Sequence, residues 1–62
     1  MTLYEKYSVI RDIRGLRDYD VAKGCGIAPA TISDWKRGKT MPKVDKIKKI
    51  AEFLNVPVTE LI

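Results

Sequence analysis

Gly26 and Pro29, three residues apart, constrain this chain more than any other pair. A glycine can enter the left-handed region that ends a helix without steric penalty. A proline suits the first turn of a helix, where its missing N–H removes no hydrogen bond. The stretch from Val21 to Lys39 therefore predicts two short helices joined by a tight turn, followed by a basic loop containing Gly38. Ala22 is small enough for the second helix to cross closely. Ile32 and Trp35 lie three apart and share the inward face, which leaves Pro29, Ala30, Ser33, Asp34 and Arg37 turned outward.

The remaining elements follow from caps and periodicity. Thr2 and Glu5 have capping-box spacing, and Leu3, Tyr7 and Ile10 recur at helical intervals, so a first helix is expected over 3–14. Gly15 breaks it, and Leu16 plugs the core from the connection. A second helix begins at Arg17 or Asp18 with Val21, Ala22 and Cys25 inward. Asp18 and Asp20 suit the positive end of its dipole, while Gly24 weakens it by up to about 1 kcal/mol relative to alanine. The third helix is expected over 28–36 and a loop over 39–42. Val44, Ile47, Ile50, Ala51 and Leu54 then set a fourth helix over 43–54, with Asn55 as a left-handed terminator. Pro57 opens a last short helix packed by Val58, Leu61 and Ile62. Short connections throughout predict one all-α, compact five-helix domain spanning 1–62.

Composition narrows what such a domain can do. With 62 residues its core is marginal. No apolar run approaches the roughly 20 residues of a membrane span, and no signal-peptide pattern opens the chain, so a cytoplasmic protein without a membrane partner is expected. Cys25 is the single cysteine, and histidine is absent. An internal disulfide, a paired-cysteine metal site and a histidine base are thereby excluded. No enzyme activity, cofactor or metal is expected, and Cys25 reads as a small buried hydrophobe rather than a reactive thiol.

Charge is unevenly spread. The formal net charge is +4. Between residues 36 and 49, Lys36, Arg37, Lys39, Lys43, Lys46, Lys48 and Lys49 face Asp45 alone. Lysines on a helix can be no more than a solvated face. Directly after a two-helix unit of this kind, they form the electrostatic footprint of a polyanion binder. Two helices so joined are the architecture that places a helix in a DNA major groove.

The chain resembles the Cro/repressor helix-turn-helix family, the XRE-type regulators. Gly15-Leu16, Val21-Ala22, Gly26-Ile27, Thr31-Ile32-Ser33, Trp35-Lys36-Arg37-Gly38-Lys39, Pro42, Ile50-Ala51 and Leu54-Asn55-Val56 carry the likeness, in order and spacing, from about Tyr7 to Leu61. The resemblance implies a five-helix, lambda-repressor-like DNA-binding domain that works as a symmetric dimer. It assigns the third helix to base reading, with Ala28, Pro29, Ala30 and Asp34 facing bases. Thr31 and Ser33 fall close to the backbone, and Arg37, Lys39, Thr40 and Lys43 fall on phosphates. Two departures stand out. Family members often hold a phosphate with glutamine where Asp18 stands, and a carboxylate repels phosphate. The start of the third helix also lacks Gln, Asn, Arg or Lys, so bidentate base reading is absent there. Ala28, Pro29 and Ala30 are left to pack on thymine methyls. Asp34 either accepts from a cytosine amino group or merely caps and solvates the helix.

The aromatic residues carry two readings. Trp35, in phase with Ile32, belongs to the core, with base stacking as the alternative. Tyr4, Tyr7, Tyr19 and Phe53 offer exposed contacts or core and rim positions. Phe53 lies one residue off the fourth helix's stripe, where a dimer or neighbouring-domain contact would fit. The expected function is sequence-specific double-stranded DNA binding by a prokaryotic or phage transcriptional regulator. Such a regulator would act as a repressor, with a homodimer formed at least on DNA and an effector or oligomerisation domain in a longer protein. The competing expectation is a protein-interaction module, either an adaptor or the antitoxin half of a toxin pair.

Overall fold

The computed structural model describes residues 2–61. It contains four α-helices, α1 (Leu3–Ile13), α2 (Asp18–Cys25), α3 (Pro29–Lys36) and α4 (Val44–Leu54), and a closing 3-10 turn, Val58–Leu61. The expected fifth helix is thus a single tighter turn, with Glu60 N–H reaching the Pro57 carbonyl at 3.0 Å. The contribution assigned to Ile62 lies outside the described residues. Among the described residues, no helix is long and apolar enough to cross a membrane.

Local chemistry sets the element ends. The Thr2 hydroxyl accepts from Glu5 N–H at 3.1 Å while Thr2 N–H donates to Glu5 Oε1 at 2.9 Å, completing the capping box. That backbone donor, together with the exposed Thr2 hydroxyl, holds the Glu5 carboxyl below its ordinary value. Gly15, Gly26 and Gly38 end α1, α2 and α3 at φ of +68°, +70° and +72°, and Asn55 ends α4 at +58°. Each of these ends is followed by the same backbone clasp. Leu16 N–H donates to Arg11 O at 3.1 Å, Ile27 to Ala22 O at 2.9 Å, Lys39 to Asp34 O at 2.9 Å and Val56 to Ala51 O at 3.0 Å. Ile27 is buried as it leaves the turn, so the clasp also drives a hydrophobe into the core.

The core is continuous through Tyr7, Val21, Ala22, Ile27, Ile32, Trp35, Ile47, Ile50, Ala51, Leu54 and Leu61. Ala22 is fully buried where α2 meets α3 and α4, and α1 packs on the 3-10 turn. Leu16 is half-buried against the core, as expected of a plug. One expectation is corrected and two are sharpened. Val44 shares the phase of the α4 stripe but is 62% exposed, because the helix's first residue projects beyond the core that Ile47 enters. Tyr7, one of the aromatic residues left between exposed contacts and core or rim positions, is fully buried. Gly24 does more than weaken α2. A Cβ at this position would overlap the Phe53 ring of α4, so the missing side chain is what lets that ring lie across the helix.

Trp35 is 6% exposed and joins α3 to α1. Its ring centroid lies 5.4 Å from that of Tyr4, edge-on, and 5.1 Å from that of Tyr7. The core reading of Trp35 therefore holds. Trp35→Ala should destabilise the fold by roughly 3–5 kcal/mol, the range for deleting a buried large aromatic. Thermal melts followed by circular dichroism would measure it. A wild-type melting curve would place the indole outside the load of the core.

Candidate nucleic-acid interface

The geometry of the α2–α3 unit fixes which side chains of α3 are free. Ile32 and Trp35 are spent on the core. Ala28, the N-cap of α3, and Pro29, at its first helical position, are exposed, as are Ala30 and Ser33. Thr31 and Asp34 are half-buried. The four residues assigned to base reading thus fall together on the outer side of α3, three at its start and Asp34 one turn on. Thr31 and Ser33 flank them.

Cations gather where this helix ends. Arg37 caps α3, and the left-handed Gly38 turns the chain so that Lys39 follows at once. Lys39, Thr40 and Lys43 are exposed, and Lys43 is the N-cap of α4. Pro42 is buried and pins the loop between them. The basic run nevertheless divides. Lys49 lies about 9 Å farther along α4 than Lys43, at 1.5 Å per residue, beside Gly24, Cys25, Glu52 and Phe53. Its carbonyl meets the Cys25 Sγ at 3.7 Å. Burial pushes the Cys25 thiol up, against the smaller opposing influence of the Lys49 charge, as suits a half-buried hydrophobe.

Two charge pairs near this surface were only partly legible in the sequence. Arg37 Nη2 donates to Asp34 Oδ1 at 2.9 Å, so the carboxylate on α3 has a cation three residues away. Asp18 is the larger surprise. Read as a carboxylate facing phosphate, it instead turns inward and accepts from Tyr4 Oη at 2.7 Å, Tyr7 Oη at 2.8 Å and Arg11 Nη1 at 2.6 Å. Arg11 also donates to Asp12 and lies 5.6 Å from the Tyr7 ring centroid. Burial works to raise the Asp18 carboxyl. The hydrogen bonds from Tyr4, Arg11 and Tyr7, with the Arg11 charge, outweigh it and hold the carboxyl below its ordinary value. Desolvation, reinforced by Asp18, pushes the Tyr7 phenol well up. No spacing rule marks a contact between Asp18 and tyrosines 11 and 14 residues earlier.

Met41 is another residue that sequence reasoning passed over. It is exposed in the α3–α4 loop and borders an open groove of about 610 Å³ shared with Thr2, Leu3, Tyr4, Trp35, Lys36 and Lys39. Tyr4 is half-buried in its wall, whereas Tyr19 and Phe53 are exposed, as foreseen for some of the aromatic residues.

A helix-turn-helix family model matches residues 10–61. The chain belongs to that family, in its XRE-type branch. It is 38% identical over 58 residues to the cryptic phage CTXphi transcriptional repressor RstR of Vibrio cholerae, across 89% of this chain and 52% of that protein. It is 32% identical over 62 residues to the HTH-type transcriptional regulator DdrOP3 of Deinococcus deserti, across 100% of this chain and 48% of the relative. The chain thus spans about half the length of the curated relatives it matches.

Asp18→Asn should cost about 2–3 kcal/mol near neutral pH, because a carboxylate accepting three hydrogen bonds is replaced by a neutral group that accepts fewer. The folded-state carboxyl lies below its unfolded value. Its contribution is therefore complete above the ordinary carboxylate range and fades as pH falls through the folded value. Urea melts at neutral pH and near pH 3 should show the gap between wild type and variant narrowing in acid. A gap that does not change with pH would contradict this assignment.

Proposed function

We propose that this chain is the DNA-reading part of a transcriptional repressor that binds double-stranded operator DNA. One observation carries the proposal: the outer side of α3, small and uncharged at its start, is bordered at its other end by Arg37, Lys39 and Lys43. In this reading α3 enters the major groove. Ala28, Pro29, Ala30 and Asp34 meet base edges, and Thr31, Ser33, Arg37, Lys39, Thr40 and Lys43 engage the sugar-phosphate backbone. Asp18 does not oppose this, because its carboxylate is turned into α1 and paired with Arg11. The names of the two relatives, a transcriptional repressor and a transcriptional regulator, support the same function here.

A single copy buries little DNA. Two copies on half-sites about one helical turn apart would cover enough duplex to exclude polymerase, so repression by occlusion from a homodimer is the mechanism proposed. The setting is the cytoplasm of a bacterium, and no chemical step is assigned to the protein. Binding to random duplex at two salt concentrations tests the core of this reading. Steep salt dependence is expected, whereas a protein adaptor or antitoxin component would hold duplex weakly at either concentration.

Two further outcomes separate anchoring from reading. Replacing both Lys39 and Lys43 with alanine should weaken binding to all duplexes alike and flatten the salt slope by up to about 0.9 per lost contact. An unchanged slope would remove the α3–α4 loop from the interface. Thymine-to-uracil replacement in a selected site should weaken binding at one or two positions by on the order of 1 kcal/mol each, if the start of α3 packs on methyl groups. Full tolerance of uracil would mean that α3 does not touch those bases.

A further inference from the structure

We propose that Asp34 and Arg37 act as one recognition unit, in which the Asp34 carboxylate reads a cytosine and Arg37 is the positioning residue that holds it. This rests on α3 being the reading helix. Asp34 is the only acidic residue in α3, and it follows Ala30 by four residues and precedes Arg37 by three, so all three share a face. A bare carboxylate on a surface that meets phosphates would be repelled by them. Arg37 changes that balance by donating Nη2–H to Oδ1 at 2.9 Å, which brings a cation against the acid before DNA arrives.

The pair is held from both ends. The Asp34 carbonyl accepts from Lys39 N–H at 2.9 Å and the Gly38 turn fixes the backbone of Arg37 beside it. The carboxylate is thus anchored through one oxygen, and Oδ2 is left to accept from a ligand. A carboxylate only accepts, so it selects for a donor. In the major groove guanine offers N7 and O6 acceptors and thymine offers O4, all of which oppose it. Adenine carries an amino group, but beside the N7 acceptor. Cytosine presents its N4 amino group with no acceptor next to it on the same ring, and so fits best. The other guanidinium N–H groups of Arg37 stay available to the adjacent phosphate. The dyad therefore supplies polar specificity to a helix whose first turn has none, and it disfavours the remaining bases by repulsion.

The test starts from duplexes that the full 62-residue chain selects from a random pool, with affinities then measured by fluorescence anisotropy on single-base-pair variants. Wild type should require C·G at one position and lose about 5- to 150-fold on exchange to another pair, the range for one good base contact. Asp34→Ala should flatten that preference and leave the other positions as they were. Asp34→Asn should move the preference toward adenine, whose N6/N7 edge an amide matches. Arg37→Gln should weaken binding to every duplex and also blunt the cytosine preference, while Lys39→Ala weakens binding and keeps it. Asp34 is half-exposed, so circular dichroism should find all of these variants folded. The proposal is overturned if Asp34→Ala and Asp34→Asn keep the wild-type preference at every position, or if the selected site has no required cytosine. A wild-type chain that selects no duplex at all overturns the role of α3 first, and this proposal with it.

Discussion

The helices that carry the proposed recognition face are tied to α1 by one polar cluster at the start of α2. Asp18 opens α2 and is gripped by Tyr4, Tyr7 and Arg11, all on α1. The same two tyrosines pack on Trp35 from α3. Three helices are thereby tied through a single carboxylate and three aromatic rings. Hydrophobic burial alone would allow α1 to slide along α2 and α3, since apolar contact has no direction. Hydrogen bonds at 2.6–2.8 Å from three separate donors admit one register. In a chain whose core is small, this cluster is a directional element that fixes α1 against α2, with Trp35 of α3 packed on the same two tyrosines.

The cluster also resolves an apparent conflict in charge. A carboxylate at the start of α2 suits the helix dipole but would repel a nearby phosphate. By turning inward, Asp18 keeps the dipole interaction and spends its charge on Arg11. Asp34 follows the same logic on α3, where Arg37 lies against it. Asp18 and Asp34 are therefore each matched by an arginine, while Lys39 and Lys43 enter no ion pair among the described residues.

How much of this was legible in the sequence depends on the range of the interaction. Helix ends were readable because a glycine or asparagine in the left-handed region acts on its own neighbours; Gly15, Gly26, Gly38 and Asn55 all sit there. The inward face of α3 was readable for the same reason, since Ile32 and Trp35 obey a local period. Of the surface residues assigned to bases and phosphates, Ala28, Pro29, Ala30 and Ser33 are exposed at α3, and Arg37, Lys39, Thr40 and Lys43 are exposed in the segment that follows it. What escaped was long in sequence and short in space. Nothing local says that Asp18 will accept from Tyr7, or that Gly24 leaves room for Phe53. Val44 failed in the opposite way. Its phase was right, but a helical period carries no information about where the partner surface stops.

These features together bear on how a helix with so few polar groups could discriminate between DNA sequences. Ala28, Pro29 and Ala30 let the start of α3 approach a groove closely, since none carries a long side chain to hold it off. Close approach increases the influence of groove width and of thymine methyl groups, which vary with sequence. It also places any single polar group on that face in a dry, restricted setting, where a mismatched donor or acceptor is penalised most. Asp34 is the one acidic side chain of α3, and Arg37 on the same face already donates to it before contact. An acceptor held in this way discriminates mainly by rejection, because it cannot turn away from an opposing acceptor. Long glutamine or arginine side chains would gain more hydrogen bonds but could also rearrange to suit several bases. In this chain specificity would come instead from shape and from one unforgiving polar contact, with lysines at the end of the helix supplying attraction common to every sequence.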